Sequence, residues 1–144
     1  MSFHDTYREL PSCFKSLEDE TFLTFILGFG YDDGYVKIEK GGSLTTYEGF
    51  EWSASGPTID SPWTRRATKY HDALYYLSRK GVFKGPRSKE VRKKADKLMY
   101  RIMKYESNNP KMSWYKAILV LPVRYTRCEC WYNAVRWRGH KSWE

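Results

Sequence analysis

A histidine and an aspartate stand side by side at positions 71 and 72, inside a stretch whose apolar spacing predicts a helix. Tyr75 follows His71 by four residues and shares its helix face, whereas Asp72 points about a hundred degrees away. An apolar core disfavours both groups, because burying a charged or unpaired polar side chain costs several kcal/mol. The pair therefore indicates either a solvated position or a site that needs an imidazole and a carboxylate.

Two amphipathic helices are predicted to position these side chains. The first runs from Thr64 to Arg79, and Gly81 is the residue that stops it. Its apolar face comprises Ala67, Tyr70, Leu74 and Leu77. The second can be capped by Ser88, and its apolar face comprises Val91, Ala95, Leu98 and Ile102. The short loop between them favours antiparallel packing. Asp96 would then contact one ring nitrogen of His71 and leave the other free as a general base.

The predicted fold class is α+β, with a small N-terminal antiparallel β-sheet followed by a bundle of about four helices. Strands are expected within residues 22–30, 35–40 and 43–52, separated by turns at Asp33-Gly34 and Gly41-Gly42. Two further helices are expected from Met112 and from Arg127. We predict one domain over 1–144, with a β-rich part at 1–52, a loop at 53–63 and a helical part at 64–144.

Composition excludes several classes of protein. A chain with 41% hydrophobic and 17% aromatic residues is not expected to be disordered. The polar start, MSFHDTYREL, does not resemble a signal peptide, and the longest apolar runs are too short to span a bilayer. Cys13, Cys128 and Cys130 form neither a disulfide framework nor a zinc motif, so we expect buried thiols. We expect a soluble protein that is made in the cytosol.

Charge is distributed unevenly along the chain. Residues 1–60 contain 4 basic and 11 acidic side chains, whereas residues 61–144 contain 21 basic and 6 acidic ones. Helical spacing predicts a cationic face on the second helix, formed by Arg92, Lys93, Lys97, Arg101 and Lys104. Such a face suits an anionic partner: a phospholipid surface, nucleic acid or an acidic protein. The alternative is a solvated helix surface without a partner.

Three motifs together resemble the catalytic core of the secretory phospholipase A(2) superfamily, above all its disulfide-free branch in viral capsid proteins. They are HDALY (71–75), KKADKLMY (93–100) on the next helix, and GPTID (56–60) upstream. The resemblance implies that His71 activates a water for attack on an ester carbonyl, while Asp96 and Tyr75 orient the ring. It also implies that Asp72 holds Ca²⁺ together with loop carbonyls. Asp60 is a further candidate ligand, although it is also a good N-cap.

A second resemblance covers roughly residues 47–138. The order YEGFEW, SGPTID, HDALYYL, AD and W is similar to an uncharacterised domain family of bacteriophage and prophage proteins. This resemblance implies a protein of the host cytoplasm, with association with the virion as an alternative. Two functions are therefore predicted as alternatives. One is a small phage-encoded, metal-dependent ester hydrolase. The other is a non-enzymatic phage accessory protein, either an inhibitor of host defence or a virion component, that binds an anionic partner through its basic surface.

Overall fold

The structure, a computed structural model, describes residues 6–10, 13–53, 64–107, 126, 128–130, 132–137, 139 and 143. Strands lie in the first part of this range and helices in the second. The seven strands are β1 (Tyr7–Glu9), β2 (Phe14–Ser16), β3 (Glu20–Leu23), β4 (Tyr31–Asp32), β5 (Val36–Ile38), β6 (Ser43–Thr46) and β7 (Glu51–Trp52). The two long helices are α1 (Arg65–Arg79) and α2 (Ser88–Ser107).

The described strands form two antiparallel sheets instead of the single sheet expected. Their orders are β1-β2-β7 and β3-β6-β5-β4. The predicted strand over 43–52 is divided between the sheets, because the chain turns after β6 through Gly49, whose φ is 92°. Glycine adopts this left-handed conformation without the steric cost that a Cβ would bring. The predicted strand over 22–30 is likewise shorter, since β3 ends at Leu23.

The two long helices lie where the apolar spacing placed them. Helix α1 begins at Arg65, one position after the predicted start, with Thr64 as its N-cap residue. Its end is marked by Gly81, with φ of 83°, and by a hydrogen bond from the amide of Val82 to the carbonyl of Leu77. This is the Schellman arrangement that glycine favours.

Helices α1 and α2 pack against each other in antiparallel directions. An ion pair joins Arg66, in the first turn of α1, to Glu106 in the last turn of α2. At the other end, Tyr75 of α1 contacts Arg92 of α2. The apolar residues predicted for both faces are buried. The antiparallel arrangement expected from the short loop is therefore present.

The expected bundle of about four helices is wrong. Besides α1 and α2, the described residues contain one further helical segment, formed by residues 126, 128–130 and 132–137 and called here the C-terminal segment. The helix predicted from Met112 lies outside the described residues. Helix α1 is buried on most of its circumference because it packs on strands as well as on α2. The ring of Phe22, in β3, lies 4.9 Å from that of Tyr70. The architecture is thus two small sheets packed on a helix pair.

A buried lysine joins the sheets to α1. The Nζ atom of Lys69 lies 3.0 Å from a carboxylate oxygen of Glu20 and 3.1 Å from the hydroxyl of Ser16. Its side chain is fully buried, which lowers the pKa of the ammonium, while the Glu20 carboxylate opposes that effect. Nothing in the sequence predicts this contact, because Ser16 and Glu20 lie 53 and 49 positions from Lys69.

The cysteines differ in their surroundings. Cys128 is buried, which raises the pKa of its thiol to about 11, whereas Cys130 is exposed and Cys13 is intermediate. The expectation of a buried thiol is therefore wrong for Cys130. Among the described residues, no helix has both the length and the apolar character needed to cross a bilayer.

Candidate functional site

The structure brings His71, Tyr75 and Asp96 together at the interface of α1 and α2. The Nε2 atom of His71 lies 2.7 Å from Oδ1 of Asp96, and the Tyr75 hydroxyl donates a hydrogen bond of 2.8 Å to the same oxygen. The rings of His71 and Tyr75 are 4.3 Å apart. These contacts are possible because His71 and Tyr75 are one helical turn apart and α2 runs antiparallel to α1.

The Asp96 carboxylate is completely buried and is kept ionised by its partners. Its second oxygen, Oδ2, accepts a hydrogen bond of 2.9 Å from Nη1 of Arg136. Burial by itself raises the pKa of Asp96, but the hydrogen bonds from His71, Tyr75 and Arg136 outweigh it and lower the pKa below its usual range. At neutral pH the site therefore holds a negative charge beside the imidazole.

Arg92 supports this group from the other side. Its Nη2 atom donates to the carbonyls of Val135 and Arg136, both at 2.8 Å, near the end of the C-terminal segment. Its Nε lies 3.4 Å from the Tyr75 hydroxyl and 3.9 Å from Oδ2 of Asp96. A cation near helix carbonyls is favourable, because these groups form the negative end of the helix dipole. Arg92 thus fixes the segment that provides Arg136.

The C-terminal residues pack closely on Tyr75. A Cβ placed on Gly139 would lie 2.6 Å from the Tyr75 hydroxyl, so only glycine fits there without a shift. The Trp143 ring lies 4.9 Å from that of Tyr75, and its Nε1 donates to Ser88 at 2.9 Å. Sequence analysis did not identify Arg136, Gly139 or Trp143 as residues of the site. The one sign in the sequence is that Arg92 and Asp96 are four residues apart, a spacing that places both side chains on the same face of α2.

One ring nitrogen of His71 is not committed to Asp96. About a tenth of the side chain is exposed, and Nδ1 makes no hydrogen bond to any described residue. The ring is therefore held in one orientation through Nε2, while Nδ1 is available for a small molecule such as water. An imidazole in this arrangement can accept a proton at Nδ1 and share the resulting charge with Asp96.

Asp72 does not join the group around Asp96. Its Oδ2 accepts a hydrogen bond of 3.0 Å from the amide of Ser53, the last described residue before position 64. Burial raises the pKa of Asp72, although nearby His71, the Ser53 hydrogen bond and Arg79 oppose the shift. The carboxylate is thus partly desolvated where α1 meets Ser53, and a bound cation would stabilise its charged form.

The described residues do not by themselves make a calcium site. They contain no group of three or more His, Cys, Asp or Glu side chains placed to hold a metal. Calcium requires six or more oxygen ligands, and Asp72 can supply at most two of them. Asp60 and the loop carbonyls named in the resemblance lie outside the described residues.

The cationic face of α2 is smaller than predicted. Lys93, Lys97 and Arg101 are exposed and recur every four residues, so they lie on one face. Lys104 is partly covered and lies 4.7 Å from the centre of the Tyr100 ring. Arg92 does not belong to this face. Its position next to Lys93 turns it about a hundred degrees, towards the buried site.

A groove of about 450 Å³ adjoins the cationic face where α2 meets the C-terminal segment. It is lined by Lys97, Tyr100, Arg101, Glu129, Tyr132 and Asn133. The two tyrosine rings lie 5.6 Å apart. Aromatic faces beside cations suit a ligand that carries both negative charge and a flat ring. His71 does not line this groove.

The chain matches no family model, and comparison with curated proteins and with solved structures found no significant match. Any function assigned to this chain therefore depends on the geometry of the described residues.

Proposed function

We propose that this protein is a small phage-encoded ester hydrolase with a phospholipase A2-like His–Asp site. The observation that supports the proposal is the contact of 2.7 Å between Nε2 of His71 and the buried carboxylate of Asp96. Tyr75 donates to the same oxygen, as the sequence resemblance implies. A buried carboxylate that leaves the other ring nitrogen open is the arrangement that a histidine general base requires.

In the proposed reaction, a water held at Nδ1 of His71 attacks the ester carbonyl carbon. His71 takes the water's proton at Nδ1, and the ionised Asp96 stabilises the imidazolium through Nε2. When the carbon–oxygen bond to the alcohol breaks, the imidazolium returns the proton to the leaving oxygen. The products are a carboxylic acid and an alcohol, and His71 is neutral again.

Calcium is part of the proposal through Asp72. The raised pKa of this carboxylate indicates a desolvated group that a cation would stabilise in its charged form. When bound, calcium would stabilise the negative charge that develops on the carbonyl oxygen. Its other ligands would come from the loop that precedes α1.

The decisive experiment compares ester hydrolysis by the wild type and by His71→Gln, using phospholipid vesicles and a soluble chromogenic ester as substrates. We expect His71→Gln to lose hydrolysis by at least about a hundredfold, the usual effect of removing a general base, while circular dichroism shows a folded domain. Tyr76→Phe is the matched control, because Tyr76 follows Tyr75 but binds Asp33 instead of Asp96. Equal hydrolysis by wild type and His71→Gln would refute the proposal.

A second function is favoured by the groove beside the cationic face. We propose, as the alternative, a non-enzymatic accessory protein that binds an anionic partner such as nucleic acid or an acidic host protein. Lys97 and Arg101 line the groove together with two tyrosines, and Lys93 extends the positive charge along α2. Binding of this kind depends strongly on salt, because bound counterions are released.

Charge reversal separates the two functions. Lys93→Glu combined with Lys97→Glu and Arg101→Glu should abolish binding to a fluorescent single-stranded oligonucleotide or an acidic polypeptide, but leave hydrolysis measurable. Lys40→Glu is the control, since Lys40 is exposed on the sheet side of the chain. Binding that survives the triple reversal, or that does not weaken with salt, would refute the alternative.

A further inference from the structure

Strand β3 is an edge strand with an open side. In its sheet, β3 pairs with β6 and, within the described part of the chain, with no other strand. Along an antiparallel strand, the backbone N–H and C=O groups of successive residues point alternately towards the paired strand and away from it. The amide of Thr24 donates to Gly42 on the β6 side, so even-numbered residues of β3 face β6. The backbone groups of Thr21 and Leu23 consequently face outward.

The open side of β3 borders an apolar groove. The groove has a volume of about 440 Å³ and separates this edge from α2. Its apolar lining comes from both sides and consists of Phe22, Leu23, Phe25, Leu98, Ile102 and Tyr105. Its polar lining is the ion pair of Arg66 with Glu106, together with Arg101, which is exposed.

Large apolar side chains at the rim of the groove are exposed to solvent. Phe25 is 61% exposed although its φ is 61°, a backbone conformation that is unfavourable for a bulky residue. The turn that imposes it is fixed by Thr24, whose hydroxyl donates to Gly42 and accepts from the amide of Ile26. Leu23 and Tyr105 are also exposed. Strain combined with an exposed aromatic indicates a surface kept for a ligand.

We infer that this groove binds an extended peptide of a partner protein, which adds a strand to the open side of β3. The outward amides and carbonyls of Thr21 and Leu23 would pair with the peptide backbone. Alternate apolar side chains would fill the groove against α2, as in other cases of strand addition between a sheet edge and a helix. The exposed guanidinium of Arg101 favours an acidic residue, or a terminal carboxylate, at one end of the peptide.

This inference does not depend on hydrolysis. It concerns a surface of β3 and α2 that His71 does not line. It gives the second proposed function a definite kind of partner, but it could hold for an enzyme as well. A failure of strand addition would leave the tests of His71 and of the cationic face unaffected.

The test uses the full chain and a pooled library of peptides about six residues long, with Val, Ile or Phe at alternate positions and Asp at one end. We expect the selected peptide to protect the amides of Thr21 and Leu23 from hydrogen exchange. Methylating the peptide nitrogens that face β3 should weaken binding at least about tenfold, which corresponds to the loss of one or two backbone hydrogen bonds. Methylating the alternate nitrogens should have little effect. Equal effects of both methylations would overturn the inference.

Variants of the protein give an independent check. Leu23→Pro removes the outward amide of the edge and should abolish peptide binding, whereas Leu23→Ala keeps that amide and should bind. If Leu23→Pro does not fold, the methylated peptides tested on the wild type still decide the question. Three results would overturn the inference: no library peptide binds, the surface instead binds phospholipid vesicles, or sedimentation shows dimers that Leu23→Pro dissociates.

Discussion

Arg136 places its guanidinium 2.9 Å from the carboxylate of Asp96, forty positions earlier in the chain. The other oxygen of that carboxylate contacts His71. The arginine therefore acts on the imidazole through the acid that lies between them. Its positive charge offsets part of the negative field that Asp96 exerts on the imidazole.

Replacing Arg136 should destabilise the group around Asp96. In Arg136→Gln, the buried carboxylate of Asp96 loses the guanidinium that lies 2.9 Å from its Oδ2. We expect the free energy of unfolding to fall by about 1–3 kcal/mol, the usual range for a lost hydrogen bond to a charged group. The measurement is urea unfolding at pH 7. Arg136→Lys keeps the charge and should recover part of the loss. Equal free energies of unfolding for the wild type and Arg136→Gln would contradict this role of Arg136.

Asp96 should make the protein sensitive to acid. Its pKa is lowered in the folded state, so the folded state binds this proton less readily than the unfolded chain does. The stabilisation is thus complete above the unfolded pKa, about 4, and is lost as the pH falls through the lower folded pKa. Asp96→Asn should lower the free energy of unfolding at pH 7 by about 3 kcal/mol, because the partly buried Arg92 and Arg136 lose their buried counterion. Its urea unfolding between pH 2 and 5 should depend less on pH than that of the wild type.

Ionised Asp72 should destabilise the fold, whereas ionised Asp96 stabilises it. Burial raises its pKa in the folded state, so the charged carboxylate destabilises the fold once the pH exceeds the folded pKa. Without calcium, Asp72→Asn should therefore raise the melting temperature at neutral pH, because asparagine can still accept the Ser53 hydrogen bond. The difference from wild type should disappear below about pH 4.

Calcium should reverse the order of the melting temperatures of the wild type and Asp72→Asn. A ligand that binds only the native state stabilises it, so added calcium should raise the melting temperature of the wild type but not that of Asp72→Asn. Magnesium at the same concentration controls for ionic strength. If calcium shifts both proteins equally, Asp72 is not a ligand.

Gly139 should be intolerant of a side chain. An alanine Cβ would lie 2.6 Å from the Tyr75 hydroxyl and 2.5 Å from the carbonyl of Val135. We expect Gly139→Ala to cost about 1–3 kcal/mol of stability, the usual range for overpacking, and to perturb the NMR signals of His71. Gly41→Ala is the matched control, because no heavy atom lies within 4 Å of its added Cβ. Equal melting temperatures of the two variants would contradict this prediction, because they would show that the surroundings of Gly139 accommodate a methyl group without loss of stability.

The sequence by itself determined the helix pair and the acid that meets the histidine. The three- and four-residue spacing of apolar positions predicted both helices, and the short loop predicted their antiparallel packing. Together these placed Asp96 against His71. Such features are local, since each depends on helix geometry and on a connection of a few residues.

Only the tertiary structure decided what surrounds that pair. The second partner of Asp96 is Arg136, and the buried lysine of α1 meets Glu20, which is 49 positions away. The prediction also assigned Arg92 to the outer face, although it holds the C-terminal segment in place. Sequence spacing along one helix specifies which side chains share a face. It does not specify which distant segment will cover that face, because many segments could supply a cation and only the packed chain selects one.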